Sequence, residues 1–264
     1  MFANAYKKAT KFTHPVIIST HTLDGEVKCG CGAFVLLNNE GWILTVAHIL
    51  NSHFAFQKHQ EQLDRYRKEV EKIENDDNLN ENQKREKTGK LNPNKKWITN
   101  HSFWWGINGI QIEEFKLFYE GDIAIGQIKN FQPNPAMVYP KFKNPKNLAV
   151  GTSLCKLGYP FYEIKATFDE SKGFVLAENT LPLPFFPIEG IYTRNIELKS
   201  KTNQSKFKIR FLETSSPGLK GQSGGPIFDK EGIVWSIQSR TQHFPLGFSP
   251  SIEKDGKMVE ENQF

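Results

Sequence analysis

Short runs of β-branched and aromatic residues, broken at close intervals by Gly, Asn and Pro, make up most of this chain. Such runs read as short strands joined by turns. Val16 to Thr20, Gly32 to Leu37 and Trp42 to Val46 open the series, and the Asn38-Asn39-Glu40-Gly41 stretch before Trp42 has the composition of a hairpin turn. That pairing leaves His48 just past the end of a strand. Strand-like runs return at Gln111 to Tyr119, Asp122 to Ile128, Ser153 to Gly158, Gly173 to Ala177, Lys206 to Glu213 and Ile233 to Ser239. Many short strands predict an all-β fold built of barrels.

One segment breaks this pattern. Residues 57–96 hold 11 Lys/Arg and 9 Asp/Glu, half of the 40 positions, against 24% charged residues in the whole chain. Phe56, Leu63, Tyr66, Val70 and Ile73 recur there at helical spacing, which predicts one amphipathic helix over about Phe54 to Glu74. Asn75 to Asn82 reads as its polar exit, and the Gly-Lys-Leu-Asn-Pro-Asn run from Gly89 ends any continuation. The segment, about 52–98, is treated as an insertion into a β domain. A Pro-punctuated stretch from Pro133 to Pro145 is the best link between two halves, giving an N-terminal half 1–132 and a C-terminal half 133–264.

Composition narrows the class. The chain has 264 residues, 38% of them hydrophobic and 12% aromatic, enough for two packed barrels. A net charge of +5 is small for this length, and no phosphate-binding or base-reading motif accompanies it, which argues against a nucleic-acid partner. Three cysteines, Cys29, Cys31 and Cys155, make no disulfide framework and fit a reducing compartment. Neither a secretory signal nor a run of transmembrane length appears, so a cytoplasmic protein with no membrane association is expected. Residues 242–264, with Phe244, Pro245, Phe248 and Pro250 before a polar end, suggest a module of something longer or docked to a neighbour.

Amide hydrolysis near neutral pH needs a nucleophile, a base, a group that orients the base, and donors for the oxyanion. Three local signatures supply those parts. Leu44-Thr45-Val46-Ala47-His48 delivers an imidazole from a strand end. Gly121-Asp122-Ile123-Ala124-Ile125 offers a carboxylate ahead of alternating apolar positions. Gly221-Gln222-Ser223-Gly224-Gly225-Pro226 sets a hydroxyl among glycines. Each has a bland competitor taken alone: six other histidines exist, Asp24, Asp169 and Asp229 are further carboxylates without the same flanks, and a Ser-Gly-Gly run is commonly a turn.

At these residues the chain resembles the trypsin-like (chymotrypsin-fold) serine peptidases, with the chain order His, Asp, Ser. The run Leu157-Gly158-Tyr159-Pro160 and the run Asp229 to Val234 are similar to the HtrA-type bacterial branch rather than to digestive enzymes. The resemblance implies two packed antiparallel six-stranded β-barrels (chymotrypsin-like), with the charged helical insertion in the first. It implies a triad of His48, Asp122 and Ser223, and an oxyanion hole from the backbone N–H groups of Gly221 and Ser223. Such a serine endopeptidase acts on a protein or peptide substrate and uses neither metal nor cofactor.

Departures from the family pattern carry their own implications. Gln222 stands where digestive members have an Asp that pairs with a freed amino terminus, so maturation by that route is not expected. Pro217 stands where trypsin has its acidic specificity residue, which argues against Arg or Lys before the scissile bond. The resemblance draws the pocket wall from Trp235 to Ser239, with Trp235, Ser236 and Ile237 as the lining residues, implying a pocket for a small or medium apolar side chain. The alternative function is a catalytically resting or pseudo-protease scaffold, in which residues 54–96 bind a regulatory protein partner.

Overall fold

The computed structural model describes residues 1–106, 110–198, 209–241, 251–254 and 257–260. Six strands form the first sheet: β1 (Thr13–Thr22), β2 (Val27–Leu36), β3 (Trp42–Thr45), β4 (Ile98–Trp104), β5 (Ile112–Phe118) and β6 (Ile123–Ile128), in the order β4-β1-β2-β3-β6-β5. All its pairings are antiparallel. The expected hairpin is present, with Val35 opposite Leu44 and Leu36 opposite Ile43. Period-two alternation along β6 turns Ala124, Gly126 and Ile128 inward. They meet Val16, Phe34, Leu36, Ile43, Ile49 and Trp105 in the first core, except Gly126, which lets the Phe115 ring close over the sheet.

The second sheet comprises β7 (Lys141–Phe142), β8 (Ser153–Gly158), β11 (Phe186–Leu198), β12 (Ile209–Thr214), β13 (Pro226–Phe228) and β14 (Ile233–Ile237), ordered β12-β11-β8-β13-β14-β7. Between β8 and β11 lies a small hairpin, β9 (Ala166–Asp169) with β10 (Gly173–Leu176). A last pair, β15 (Ser251–Lys254) and β16 (Lys257–Glu260), is separate from both sheets. Both large sheets curl in the manner of the chymotrypsin fold, as expected for this all-β class. One refinement concerns the short edge strand β7, which joins β14 in parallel rather than antiparallel fashion.

Where the two sheets meet, Val35 of the first packs with Cys155, Leu157, Phe228 and Val234 of the second. A short N-terminal helix, α1 (Ala3–Ala9), caps this seam by burying Ala5 and Ala9 in the same cluster. Of the residues expected to form strands, 206–208 lie outside the described residues, as does the stretch 242–250 with Phe244, Pro245, Phe248 and Pro250.

The insertion holds two helices where one is expected. α2 (Asn51–Glu74) matches the apolar stripe and buries Leu63, while α3 (Glu81–Lys90) buries nothing. α3 has no stripe for periodicity to detect. Its start is a capping box, in which Asn80 accepts from the Gln83 N–H and Gln83 answers the Asn80 N–H. α2 lies on the edge strand β4 and satisfies its backbone. His59 Nδ1 accepts the Ile98 N–H at 3.0 Å, and Gln60 Nε2 donates to the carbonyls of Ile98 and Thr99 at 3.1 Å each.

Candidate active site

The β3–β6 pairing brings two of the three expected groups together. Thr45, the last residue of β3, stands opposite Ala124 near the start of β6. The residues just past one strand and just before the other are therefore neighbours. Beyond β3 the chain makes a 3-10 turn, Ala47–Leu50, whose Ala47, Ile49 and Leu50 are buried. Those three anchors leave the His48 side chain 40% exposed. On the other strand, Asp122 takes a left-handed conformation, φ 52° and ψ 46°, which Asp tolerates better than most residues.

The contact between them is double. Asp122 Oδ1 accepts the His48 backbone N–H at 2.9 Å, and Asp122 Oδ2 lies 2.8 Å from His48 Nδ1. A third donor reaches the same carboxylate, for the Ser239 hydroxyl donates to Oδ2 at 2.6 Å. Burial pushes the Asp122 carboxyl upward, but the hydrogen bonds from His48 and Ser239 together outweigh it and hold the group below the usual Asp range. An ionised Asp122 requires the proton of neutral His48 on Nδ1, which leaves Nε2 with a lone pair on the far side of the ring.

Ser223 belongs to the loop between β12 and β13. Its carbonyl accepts the Ala33 N–H at 2.7 Å, so the loop is seated on β2. Gly32, beside Ala33, has both the Ser223 carbonyl and the Ile49 side chain over its Cα, which puts the Ser223 backbone and the His48 turn on the same patch of β2. Two glycines make this seat possible. Gly221 has φ +97° and Gly224 has φ +85°, and a Cβ on Gly224 would run into the Ala33 carbonyl. Among the described residues the Ser223 hydroxyl makes no hydrogen bond, so the structure joins His48 to Asp122 but not Ser223 to His48. Such nucleophile–base contacts commonly tighten only when substrate binds.

The backbone N–H groups of Gly221 and Ser223 donate to no acceptor among the described residues. The amide between them is engaged: the Gln222 N–H donates to the Leu219 carbonyl at 3.0 Å. Gln222 is fully buried, and its side chain closes the loop by accepting the Leu219 N–H at 3.0 Å and reaching the Phe186 carbonyl at 3.5 Å. A neutral amide thus fills the place of a carboxylate without an ion pair.

The residues expected to line the substrate pocket fall in different surroundings. Pro217 leads into the loop, and its carbonyl accepts from Lys156 Nζ at 2.8 Å. Trp235 is buried with Leu148, Leu154, Tyr192 and Ile227, its Nε1 donating to Asp229 Oδ2 at 2.8 Å. Ser236 Oγ donates to the neighbouring Ile237 carbonyl, and Ile237 packs between two cores. The structure brings Gln238 and Thr241 against the 218–225 loop. Gly224 N–H donates to the Gln238 carbonyl, and Thr241 Oγ1 to the Gly218 carbonyl, each at 2.8 Å. β14 runs antiparallel to β13, so it is the segment past the end of β14 that returns beside Ser223. Ser239 closes the expected pocket wall, but its bond to Asp122 is what sequence reasoning missed; the signal was a hydroxyl just past that strand end. Among the described residues no cluster of three His, Cys, Asp or Glu could hold a metal ion. No helix among them is long and apolar enough to cross a membrane.

Residues 31–235 match the trypsin-like peptidase domain family, and the chain belongs to that family. Members of this family act on peptides or proteins. Among solved structures it is similar to the HtrA-type protease AlgW with tripeptide, at 13% identity and a TM-score of 0.44, over 90% of this chain and 53% of that one. It is also similar to the Rv3671c protease from M. tuberculosis in its active form, at 13% identity and a TM-score of 0.45, over 88% of this chain and 71% of that one. The chain thus spans about half the length of the AlgW structure. No curated protein matches it.

Proposed function

We propose that this peptidase is a serine endopeptidase in which His48, Asp122 and Ser223 form the triad. Ser223 Oγ attacks the scissile carbonyl carbon while its proton passes to His48 Nε2. The carbonyl oxygen becomes an anion, received by the N–H groups of Gly221 and Ser223, a contribution on the order of 3 kcal/mol per donor. Collapse of this intermediate breaks the C–N bond. The leaving amine takes the proton from His48, and water activated by the same imidazole then releases the acid from Ser223. Asp122 holds the Nδ1–H tautomer and stabilises the imidazolium, with Ser239 orienting its Oδ2. The observation that carries this reading is the His48–Asp122 contact at 2.8 Å, together with two loop N–H groups that donate to no acceptor among the described residues.

The two halves, 1–132 and 133–264, then contribute the base and the nucleophile respectively. Free thiols at Cys29, Cys31 and Cys155 support a reducing, cytoplasmic setting. Residues 54–96 are read as a surface for a regulatory partner, and deleting them would abolish partner capture while sparing peptide cleavage.

A fluorophosphonate tests the mechanism, since Ser223 Oγ attack on phosphorus expels fluoride and leaves a stable adduct. Mass spectrometry should find that adduct on Ser223, and Ser223→Ala and His48→Ala should each abolish it. A folded native chain that forms no adduct would count against the triad and favour a resting or scaffold role.

A further inference from the structure

Lys156 lies within β8, with Ile188 of β11 on one side and Ile227 of β13 on the other. It is only 1% exposed. A buried ammonium is costly unless its donors are met, and no carboxylate forms an ion pair with it among the described residues. All three of its N–H donors go instead to one short stretch of chain. They reach the Thr214 hydroxyl at 3.2 Å, the Pro217 carbonyl at 2.8 Å, and the Ser216 carbonyl in a very short contact. That stretch runs directly into the loop that carries Gly221 and Ser223.

The same strand grips the other end of the loop. Tyr159, just past the end of β8, donates its N–H to the Gly221 carbonyl at 3.0 Å. Between these two grips the buried Gln222 side chain ties Leu219 to Phe186. Gln222 carries no charge, whereas Lys156 brings one to the stretch that leads into this loop. A second observation shows that the stretch is held against its own hydrogen-bonding preference: Ser216 Oγ is buried without a partner among the described residues, turned toward Gly190.

We propose that Lys156 is a positioning residue for the reaction, its ammonium holding Thr214, Ser216 and Pro217 so that the N–H groups of Gly221 and Ser223 meet the oxyanion. This rests on the reading of Ser223 as nucleophile. Charge-assisted bonds to carbonyls are shorter and stronger than neutral ones, and an oxyanion hole tolerates little displacement. Loss of the proton turns one donor into a lone pair facing a carbonyl and loosens the grip. Burial lowers the Lys156 ammonium to about 8. Among the described residues the titratable group that acts on it is its neighbour Cys155. The adjacent Cys155 thiol is pushed up to about 11 by burial and by Glu189 across on β11, and Glu189 itself accepts from Ser153 Oγ.

The test is the rate of fluorophosphonate labelling of Ser223 from pH 7 to 9.5, with circular dichroism alongside, in the native chain, Lys156→Arg and Lys156→Met. The native rate should fall through an apparent pKa near 8 while the fold persists. Lys156→Met should be slower by about 10- to 100-fold at pH 7 and show no alkaline fall, the scale expected from a small displacement of oxyanion donors. Lys156→Arg keeps its charge throughout and should retain labelling above pH 8. A native rate that stays level to pH 9.5, or Lys156→Met labelled at the native rate, overturns the proposal. Should Lys156→Met fail to fold, the native and Lys156→Arg profiles decide. No adduct at any pH overturns the nucleophile reading as well, whereas labelling indifferent to pH and to residue 156 overturns this proposal alone.

Discussion

The Ser239 hydroxyl and His48 Nδ1 converge on one atom, Asp122 Oδ2, at 2.6 and 2.8 Å. Asp122 leads directly into β6 of the first sheet and Ser239 follows β14 of the second, so this contact links the two sheets. The carboxylate is thereby fixed in rotation by donors from both sides. His48 inherits that fixed direction.

Replacing Ser239 with Ala should therefore lower both rate and stability. A hydrogen bond to a charged group contributes about 1.5–3 kcal/mol, and the Asp122 side chain is only 6% exposed. Chemical denaturation should show a loss of that order, and Ser223 labelling should slow by about 10-fold or more. Ser239→Thr, which keeps the hydroxyl, should recover most of the rate. An unchanged labelling rate in Ser239→Ala would show that His48 and the main chain suffice to orient Asp122.

Gly224 offers a steric test beside Ser223, the proposed nucleophile. Its φ of +85° is one that side-chain-bearing residues rarely adopt, and a Cβ there would meet both the Ala33 carbonyl and Thr45 Oγ1. Those atoms are themselves bonded, Thr45 Oγ1 donating to the Ala33 carbonyl at 2.7 Å, so neither can yield freely. Gly224→Ala should cost more than about 2 kcal/mol and lift Ser223 off β2. Thermal unfolding and loss of labelling would be the readouts.

What could be read from sequence follows from how local each signal is. Leu44 to His48 and Gly221 to Pro226 are contiguous runs whose meaning is complete within a few residues, and the hairpin at Asn38 to Gly41 is set by its own turn chemistry. Ser239 and Lys156 gain their meaning from partners far away along the chain, so neither stands out in a linear reading. An aromatic residue near a cleft and one in a core look alike in sequence, so the burial of Trp235 and its bond to Asp229 could not be read there. α3 escaped because periodicity registers burial and this helix buries nothing, although its capping box was present in Asn80 and Gln83.

The seat of α2 on β4 should weaken in acid. His101 stacks on Phe56 of α2 and exchanges a hydrogen bond with Ser52 at 3.0 Å. Burial, with a lesser push from His53, lowers His101 to about 4, and burial followed by Lys58 lowers His59, whose Nδ1 must stay unprotonated to accept from Ile98. For a histidine lowered in the native state, stability is present above the unfolded value of 6.5 and is lost as pH falls toward 4. The protection factor of the Ile98 amide against hydrogen exchange should fall over that window, ahead of those of the β1–β2 amides. Uniform exchange of all these amides would mean that α2 has no separate transition.

Lys156 should make stability and activity move in opposite directions on the alkaline side. Its native value of about 8 lies below the ordinary 10.5, so between the two the unfolded chain binds more protons and rising pH favours the native state. The same loss of protons relaxes the grip on Ser216 and Pro217 and slows the reaction. Three other groups oppose the gain at higher pH. Burial raises the Cys31 and Cys155 thiols to about 12 and about 11 from the ordinary 9.0, and it raises the Tyr159 phenol too, so their contribution is lost as the unfolded chain ionises above pH 9. The clean window is therefore pH 8 to 9. Within it the unfolding temperature of the native chain should rise relative to Lys156→Met while its labelling rate falls relative to the same variant. Parallel decline of both quantities would show that alkaline inactivation is the onset of unfolding, with Lys156 a passive part of the core.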